Sequence, residues 1–449
     1  MKSSRSVFIA SCWMLLAVHM GYAQNSTAYI LKDVKVIDGT GKTPREHVDM
    51  LIQGPNISEI KAGIQRAGAI VLNMQGKTIM PAIISTHNHL GLLKGNYANA
   101  TNYTRENILR QLGKYQDYGV NSVISMGTDR NLLFKGLRDS VLAGRLPGAT
   151  IYSAGYGFGV PNGGPPSDLD QVLRPGTAEE ARKDIEKLIP LRPDVIKMWV
   201  DDFGGRFPKM APEITGAIIQ AAHAQGWRVA AHVYYLQDAR RLVAQGLDII
   251  AHSIRDSVID DVLLAEMKRK EVAYIPTLSL DEYAYVYANS PEWMKDEFFK
   301  ASLEPGVYEM ISSKDYQDNL RNSPAYARNK AAFETALKNL RKIYEAGVMV
   351  ALGTDSGASP VRTQGFSEHL EMELMIMAGL TPLQAIEVAT RNGAKLLKID
   401  KRQGTLEVGK RADFIVLDGD PNTDIKNTRK IFAVWKNGKV VSKGPLGGN

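Results

Sequence analysis

The stretch Gly76 to Leu90, GKTIMPAIISTHNHL, decides how the rest of the chain is read. Ile79, Ala82, Ile83 and Ile84 form a short apolar run, which reads as a buried strand, and it ends in His87 and His89. Residues i and i+2 of a strand point to the same side, so the two imidazoles project together. Two neutral ring nitrogens converging at a strand end are what a divalent transition metal takes from its first two ligands. A lone His-X-His also arises from two polar residues flanking a turn, so a metal requires further ligands from elsewhere in the chain.

Four further strand-like segments each carry one metal-competent residue near the C-terminal end. Asp194 to Val200 presents Lys197, Arg228 to Val233 presents His232, Ile249 to Ile254 presents His252, and Val348 to Ser356 presents Asp355. Helix-length segments lie between them. Such alternation predicts a parallel α/β sheet, and its closed form, the eight-fold (β/α)8 TIM barrel, gathers every strand C-terminus at one mouth.

The order His-X-His, Lys, His, His, Asp on successive strands resembles the amidohydrolase superfamily. The surrounding sequence is similar to its imidazolonepropionase and Xaa-Pro dipeptidase-like branch, and the likeness runs to the closing segments GTLEVGKRADFIVLDGDP and VWKNGKVV. Ala82 and Ser85 depart from the pattern, standing where the family usually carries Gly and often Asp. The resemblance implies two divalent metal ions, with zinc the expected element. His87 and His89 would serve one and His232 and His252 the other. Carboxylated Lys197 would bridge them. Asp355 would bind the first metal and move the proton from an attacking hydroxide to the leaving nitrogen.

The remaining composition fits that expectation. The 449 residues suit a barrel plus an accessory unit, and 44% apolar with 23% charged is ordinary for a globular chain. Residues 1–23 read as a cleaved secretory signal: Lys2 and Arg5, an apolar stretch from Val7 to Val18, then Gly21-Tyr22-Ala23, with maturation predicted before Gln24. The letters Ile9-Ala10-Ser11-Cys12 also spell a lipobox, which would instead make Cys12 a lipidated first residue. The apolar core lies mostly after that cysteine, which favours a secreted or periplasmic product. No other segment is long and apolar enough to be a transmembrane span. Cleavage would take the net charge from +7 to +5 and remove the one cysteine, leaving no thiol for disulfides or sulfur ligands. The positive charge is scattered, without basic runs, so nucleic acid is not an expected partner. Homo-oligomerisation is left open.

Residues 24–80 change to short alternating strands, and 398–449 supply their counterparts, with Lys436-Asn437-Gly438-Lys439 as a hairpin turn. A small β-sandwich assembled from both chain ends is expected, flanking a barrel over 81–397. Two long insertions should sit at the barrel mouth. One is the Gly/Pro-rich Gly155 to Pro175; the other runs from Ser279 to Ser323 and is rich in aromatic rings, which either form a lid over substrate or pack the insertion onto the rim.

Substrate contacts are expected from Tyr234 and Arg255, which follow the strands of His232 and His252 by two or three residues. Arg255 could grip a carboxylate or pair with Asp256 or Asp260. Asp201 and Asp202 fall beyond the end of the Lys197 strand, so no carboxylate is expected at the level of that lysine. His47, His223 and His369 lie off the strand ends and read as solvent-exposed or packing residues. Val233, Tyr234, Tyr235 and Leu236 follow His232 where related deaminases place a catalytic Glu, so hydrolysis is the favoured chemistry. The expected substrate is a small amide, a dipeptide or N-acyl amino acid. A cyclic amide such as an imidazolone, or an exported binding protein that has lost catalysis, are the alternatives.

Overall fold

The structure, a computed structural model, describes residues 27–165 and 171–447. The signal segment and part of the first insertion lie outside the described residues. Strands from both chain ends join one eight-stranded sheet in the order Lys439–Ser442, Ile431–Lys436, Phe414–Leu417, Thr78–Pro81, Ala28–Val36, Arg45–Gln53 and Asn56–Lys61, with Ile70–Asn73 also pairing to Ala28–Val36. Its core includes Leu31, Val36, Met50, Ile52, Val416 and Trp435. Trp435 stacks on Phe414 at 5.2 Å between ring centroids and meets Tyr29 edge-on.

The stretch from Gly76 to Leu90 belongs to two sheets. Thr78–Pro81 pairs antiparallel with Phe414–Leu417, and Ile83–Asn88 pairs parallel with Val120–Ser125. The Ala82 N–H still points to Asp413 O at 3.1 Å, whereas the Ile83 N–H points to Gly119 O at 3.0 Å. The single strand expected here is therefore two, because the backbone changes partner between Ala82 and Ile83. The apolar start of the run is thereby fixed against the sheet built from both termini, and its polar end against Val120–Ser125.

Two parallel sheets follow. Ile83–Asn88, Val120–Ser125 and Thr150–Ser153 form one; Ile196–Trp199, Val229–His232, Ile249–Ala251 and Ala273–Ile275 form the other. Every residue of these seven strands except Tyr152 is buried, as expected for strands covered on both faces. Asp194 N–H donates to Ser153 O at 2.8 Å, linking the sheets on one side. On the other side the segment 349–356 makes no regular ladder but is held between them. Tyr274 and Ala351 bond it to the second sheet, while Thr86 N–H to Leu352 O, at 2.7 Å, and Thr354 N–H to His87 O, at 3.1 Å, bond it to the first.

Between the strands lie the amphipathic helices that alternation demands. Arg105–Asp117 begins at the Thr104 cap, and Ala178–Leu188 carries a capping box between Thr177 and Glu180. The second insertion is largely helical. Its rings pack inward: Tyr283 and Tyr287 stack at 5.6 Å, and Trp293 meets Phe299 edge-on at 4.8 Å. Tyr283, Tyr287, Phe298 and Phe299 are buried in the main core, so these rings anchor the insertion to the body of the fold.

Candidate metal centre

Six residues expected at strand ends are brought together. His87 is the penultimate residue of one strand, Lys197 lies within the next sheet's first strand, and His232 closes the second. His252 and Asp355 follow directly on extended segments. Both adopt left-handed backbone angles, φ +72° and +56°, as does Thr277 at +51°. Non-glycine residues in that region carry strain, which is tolerated where the surroundings over-determine the position.

One oxygen, Asp355 Oδ1, lies 3.3 Å from His87 Nε2 and 3.0 Å from His89 Nε2. These three groups present ligand atoms all within 4.8 Å of one another. Lys197 Nζ is 3.1 Å from His87 Nε2. The His252 ring sits 4.5 Å from that of His87 and 4.2 Å from that of His232, centroid to centroid. Polar partners hold the far sides of two rings: His89 Nδ1 meets Thr128 Oγ1 at 2.8 Å, and His252 Nδ1 meets Thr277 Oγ1 at 2.9 Å. A ring nitrogen fixed in this way leaves the other free to ligate.

Electrostatics favour a cation here. Burial pushes the His87 imidazole down to about 3, aided by the Lys197 charge, and pushes His232 and His252 down as well. All three are therefore neutral, the ligating form. Burial alone would raise the Asp355 carboxyl, but hydrogen bonds from His87 and His89 and the charge of Arg362 outweigh it and hold it well below the usual carboxylate range. Burial lowers the Lys197 ammonium to about 7 against the opposing pull of Asp355 and Asp201. Neutral imidazoles and a carboxylate converging in a buried site form a donor set suited to a divalent ion.

Several partners differ from the sequence expectation. Asp201 is buried, with Oδ1 3.3 Å from His232 Nε2, so the chain beyond Trp199 turns back toward the site instead of leaving it. Arg362 pairs with Asp355 through Oδ2. Arg255 binds neither Asp256 nor Asp260. Its Nε lies 3.0 Å from Asp281, Nη1 donates to Ser253 O at 2.9 Å, and the guanidinium lies over the Tyr234 ring at 4.5 Å. Asp260 pairs with Arg240 instead. Asp281 lies on the short helix Leu278–Tyr283 and Arg362 in an irregular connection, and only the fold shows what they face. Among the described residues the remaining histidines stay off the centre: His47 meets Asp33 in solvent, His223 meets Asp248, and His369 bonds Thr428 and Tyr118 O.

A cavity of about 860 Å³ opens above these groups, lined by His89, Trp199, His232, Tyr234, Arg255 and Asp355 among others. That volume takes a small organic molecule of dipeptide size.

The match of residues 78–441 to the model of the Amidohydrolase family places this chain in that family. Ochratoxinase from Aspergillus niger is 28% identical over 280 residues, covering 60% of this chain. The chain spans about half the length of that curated relative, 50%. Imidazolonepropionase from Salmonella paratyphi A is 23% identical over 377 residues, covering 80% of this chain and 82% of its own. The solved structure of a Xaa-Pro dipeptidase superposes with a TM-score of 0.73 at 23% identity, over 92% of this chain and 99% of that one.

Proposed function

We propose that the protein is an exported, metal-dependent amidohydrolase that cleaves a C–N bond in a small amide, a dipeptide or N-acyl amino acid. The observation that carries this reading is the convergence of His87 Nε2 and His89 Nε2 on Asp355 Oδ1, with Lys197, His232 and His252 buried beside them. The parallel sheets, bonded to one another at one edge and through 349–356 at the other, support a (β/α)8 barrel over 81–397. The mixed sheet joining strands of both chain ends, with a core cluster of its own, supports a β-sandwich built from 24–80 and 398–449.

His87, His89 and Asp355 would hold one divalent ion, His232 and His252 a second, and carboxylated Lys197 would serve both. Zinc suits this nitrogen and carboxylate set. When bound, such ions supply Lewis acidity that brings the pKa of water toward neutrality and polarises a carbonyl. Asp355 accepts the proton of the attacking water and delivers it to the departing nitrogen. Arg362, on Oδ2, orients that carboxylate. Tyr234 and Arg255 line the cavity where the substrate's remaining groups would lie.

Among the described residues no helix is long and apolar enough to cross a membrane. Export rests on the N-terminal sequence alone. The extent of the imidazolonepropionase match supports a cyclic amide as the second substrate class. Metal analysis of the purified mature protein, with a screen of dipeptides, N-acyl amino acids and cyclic amides, tests both readings. Hydrolysis of at least one class, lost on chelation, is expected; metal-independent turnover, or a metal-loaded protein inert to all three, would overturn the proposal.

A further inference from the structure

Behind the ligands lies a buried polar group that the reaction itself does not use. Glu368 is in the first turn of the helix Phe366–Met377 and is fully buried. Its Oε2 accepts the Gly365 N–H at 2.9 Å, closing the helix start. Its Oε1 points the other way and accepts three hydroxyls: Thr354 at 2.7 Å, Ser85 at 3.0 Å and Ser356 at 3.1 Å. Thr354 and Ser356 are the two neighbours of Asp355, and Ser85 lies two residues before His87.

The same hydroxyls reach a second acceptor between the two histidines. Asn88 Oδ1 is 2.9 Å from Ser85 Oγ, 3.0 Å from Ser356 Oγ and 3.2 Å from Tyr115 OH. Ser85, Thr354, Ser356 and Tyr115 bring four hydroxyl protons, and Glu368 Oε1 with Asn88 Oδ1 can accept them all. Such a fully satisfied buried network fixes positions. What it fixes is specific. Asp355 holds a left-handed backbone angle that a non-glycine residue does not keep by itself, and both flanking side chains are tied to one carboxylate oxygen.

We infer that Glu368 is a positioning residue of the metal centre, acting through Thr354, Ser356 and Ser85 to hold Asp355 and the His87–His89 strand at their mutual register. The inference rests on the reading of these residues as metal ligands. A glutamine does not reproduce this carboxylate. Its NH2 would face either the Gly365 N–H, donor against donor, or the three hydroxyls, which would have to give up donating to this oxygen and reorient to accept from it.

Glu371 provides the comparison. It is on the same helix, equally buried, and accepts the N–H groups of Leu278 and Ser279, each at 2.7 Å, with no bond to the Asp355 segment. The experiment measures Zn2+ affinity by competition with a chromogenic chelator, and the visible spectrum of the Co2+-loaded protein, for wild type, Glu368→Gln and Glu371→Gln. Glu368→Gln is expected to weaken Zn2+ by roughly 10- to 100-fold, the usual scale for groups that orient ligands, and to shift the Co2+ bands. Glu371→Gln should lose thermal stability but keep both. Equal loss in the two variants would overturn the inference. If Glu368→Gln does not fold, Ser356→Ala removes one arm of the clamp, and unchanged Zn2+ affinity there would overturn it equally. A crystal structure of the variant decides the question without metal: Asp355 displaced from His87 and His89 supports the inference, and Asp355 in place refutes it. Wild-type protein that binds no Zn2+ would instead count against the proposed function.

Discussion

His89 Nε2 and Asp355 Oδ1 lie 3.0 Å apart across 266 residues of chain, and the same oxygen is 3.3 Å from His87 Nε2. Three groups so placed make a cation site before any ion arrives. The purified protein should contain close to two divalent ions per chain, with zinc predominating on elemental analysis. His89→Ala should lose at least one of them. Prolonged chelation should abolish hydrolysis, and added Zn2+ should restore it; full turnover in metal-free protein would contradict the assignment.

Asp355→Asn keeps the size of the side chain and one ligating oxygen but cannot accept the proton. On a confirmed substrate kcat should fall by at least ~10²-fold, the usual scale of general acid-base work. Metal content should fall less, because His87 and His89 remain. Turnover near wild type would leave Asp355 a ligand only.

The centre is legible in the sequence for a physical reason. In a parallel sheet all strand ends face one way, so an alternating chain places His87, Lys197, His232, His252 and Asp355 at one level whatever separates them. Asp281, Arg362 and Glu368 are not legible, because each reaches the site from an irregular segment or a helix start through tertiary contacts alone. Asp201 reads as leaving the site because the strand-like segment ends at Val200, yet the turn beyond it folds this residue back beside His232. The change of partner between Ala82 and Ile83 leaves no mark in the sequence because both halves of that run are equally apolar.

Arg255 and Asp281 form a buried pair, 9% and 4% exposed, at 3.0 Å. Arg255→Met would leave a buried carboxylate unpaired, a change that typically costs about 3 to 5 kcal/mol. Burial already raises Asp281 to about 6 with the arginine present. A carboxyl raised in the folded state binds more protons there than in the unfolded chain, so stability is lost as pH rises. The variant should therefore melt well below wild type at pH 8 and approach it near pH 4, and Arg255→Met with Asp281→Asn should recover much of the loss. If the single variant melts like wild type while KM rises only for carboxylate substrates, Arg255 grips substrate instead.

Glu282 allows a test of the fold away from the centre. It is buried, its Oε2 has no hydrogen-bond partner, and burial with the nearby charge of Glu373 raises it to about 8. Its ionisation is therefore unfavourable in the folded chain, and the penalty grows as pH rises from the ordinary Glu value through 8. Glu282→Gln removes the charge at nearly constant volume. Each unit of such a shift is worth about 1.4 kcal/mol, so the variant should be more stable than wild type by at least ~1 kcal/mol at pH 9 and no more stable at pH 4.5. Thermal melts at the two pH values check this, and a loss of stability at pH 9 would mean that Glu282 is ionised and satisfied.

Lys197 offers the most specific test. It is fully buried, its Nζ is 3.1 Å from His87 Nε2, and the Trp199 ring lies 5.1 Å away. As an ammonium it would oppose cations held by His87, His89, His232 and His252 at short range. Burial lowers it to about 7, so much of it is the free amine at mildly alkaline pH, and the free amine is the form that adds carbon dioxide. The resulting carbamate carries a negative charge and two oxygens where a positive charge stood. Lys197→Ala should lose most activity and at least one metal ion, and acetate or propionate should restore part of both by occupying the vacated space. Bicarbonate during expression should raise the specific activity of wild type and leave the variant unchanged. An electron-density map of active, metal-loaded protein with an unmodified Lys197 turned away from the histidines would refute the bridge, and would favour a single ion held by His87, His89 and Asp355.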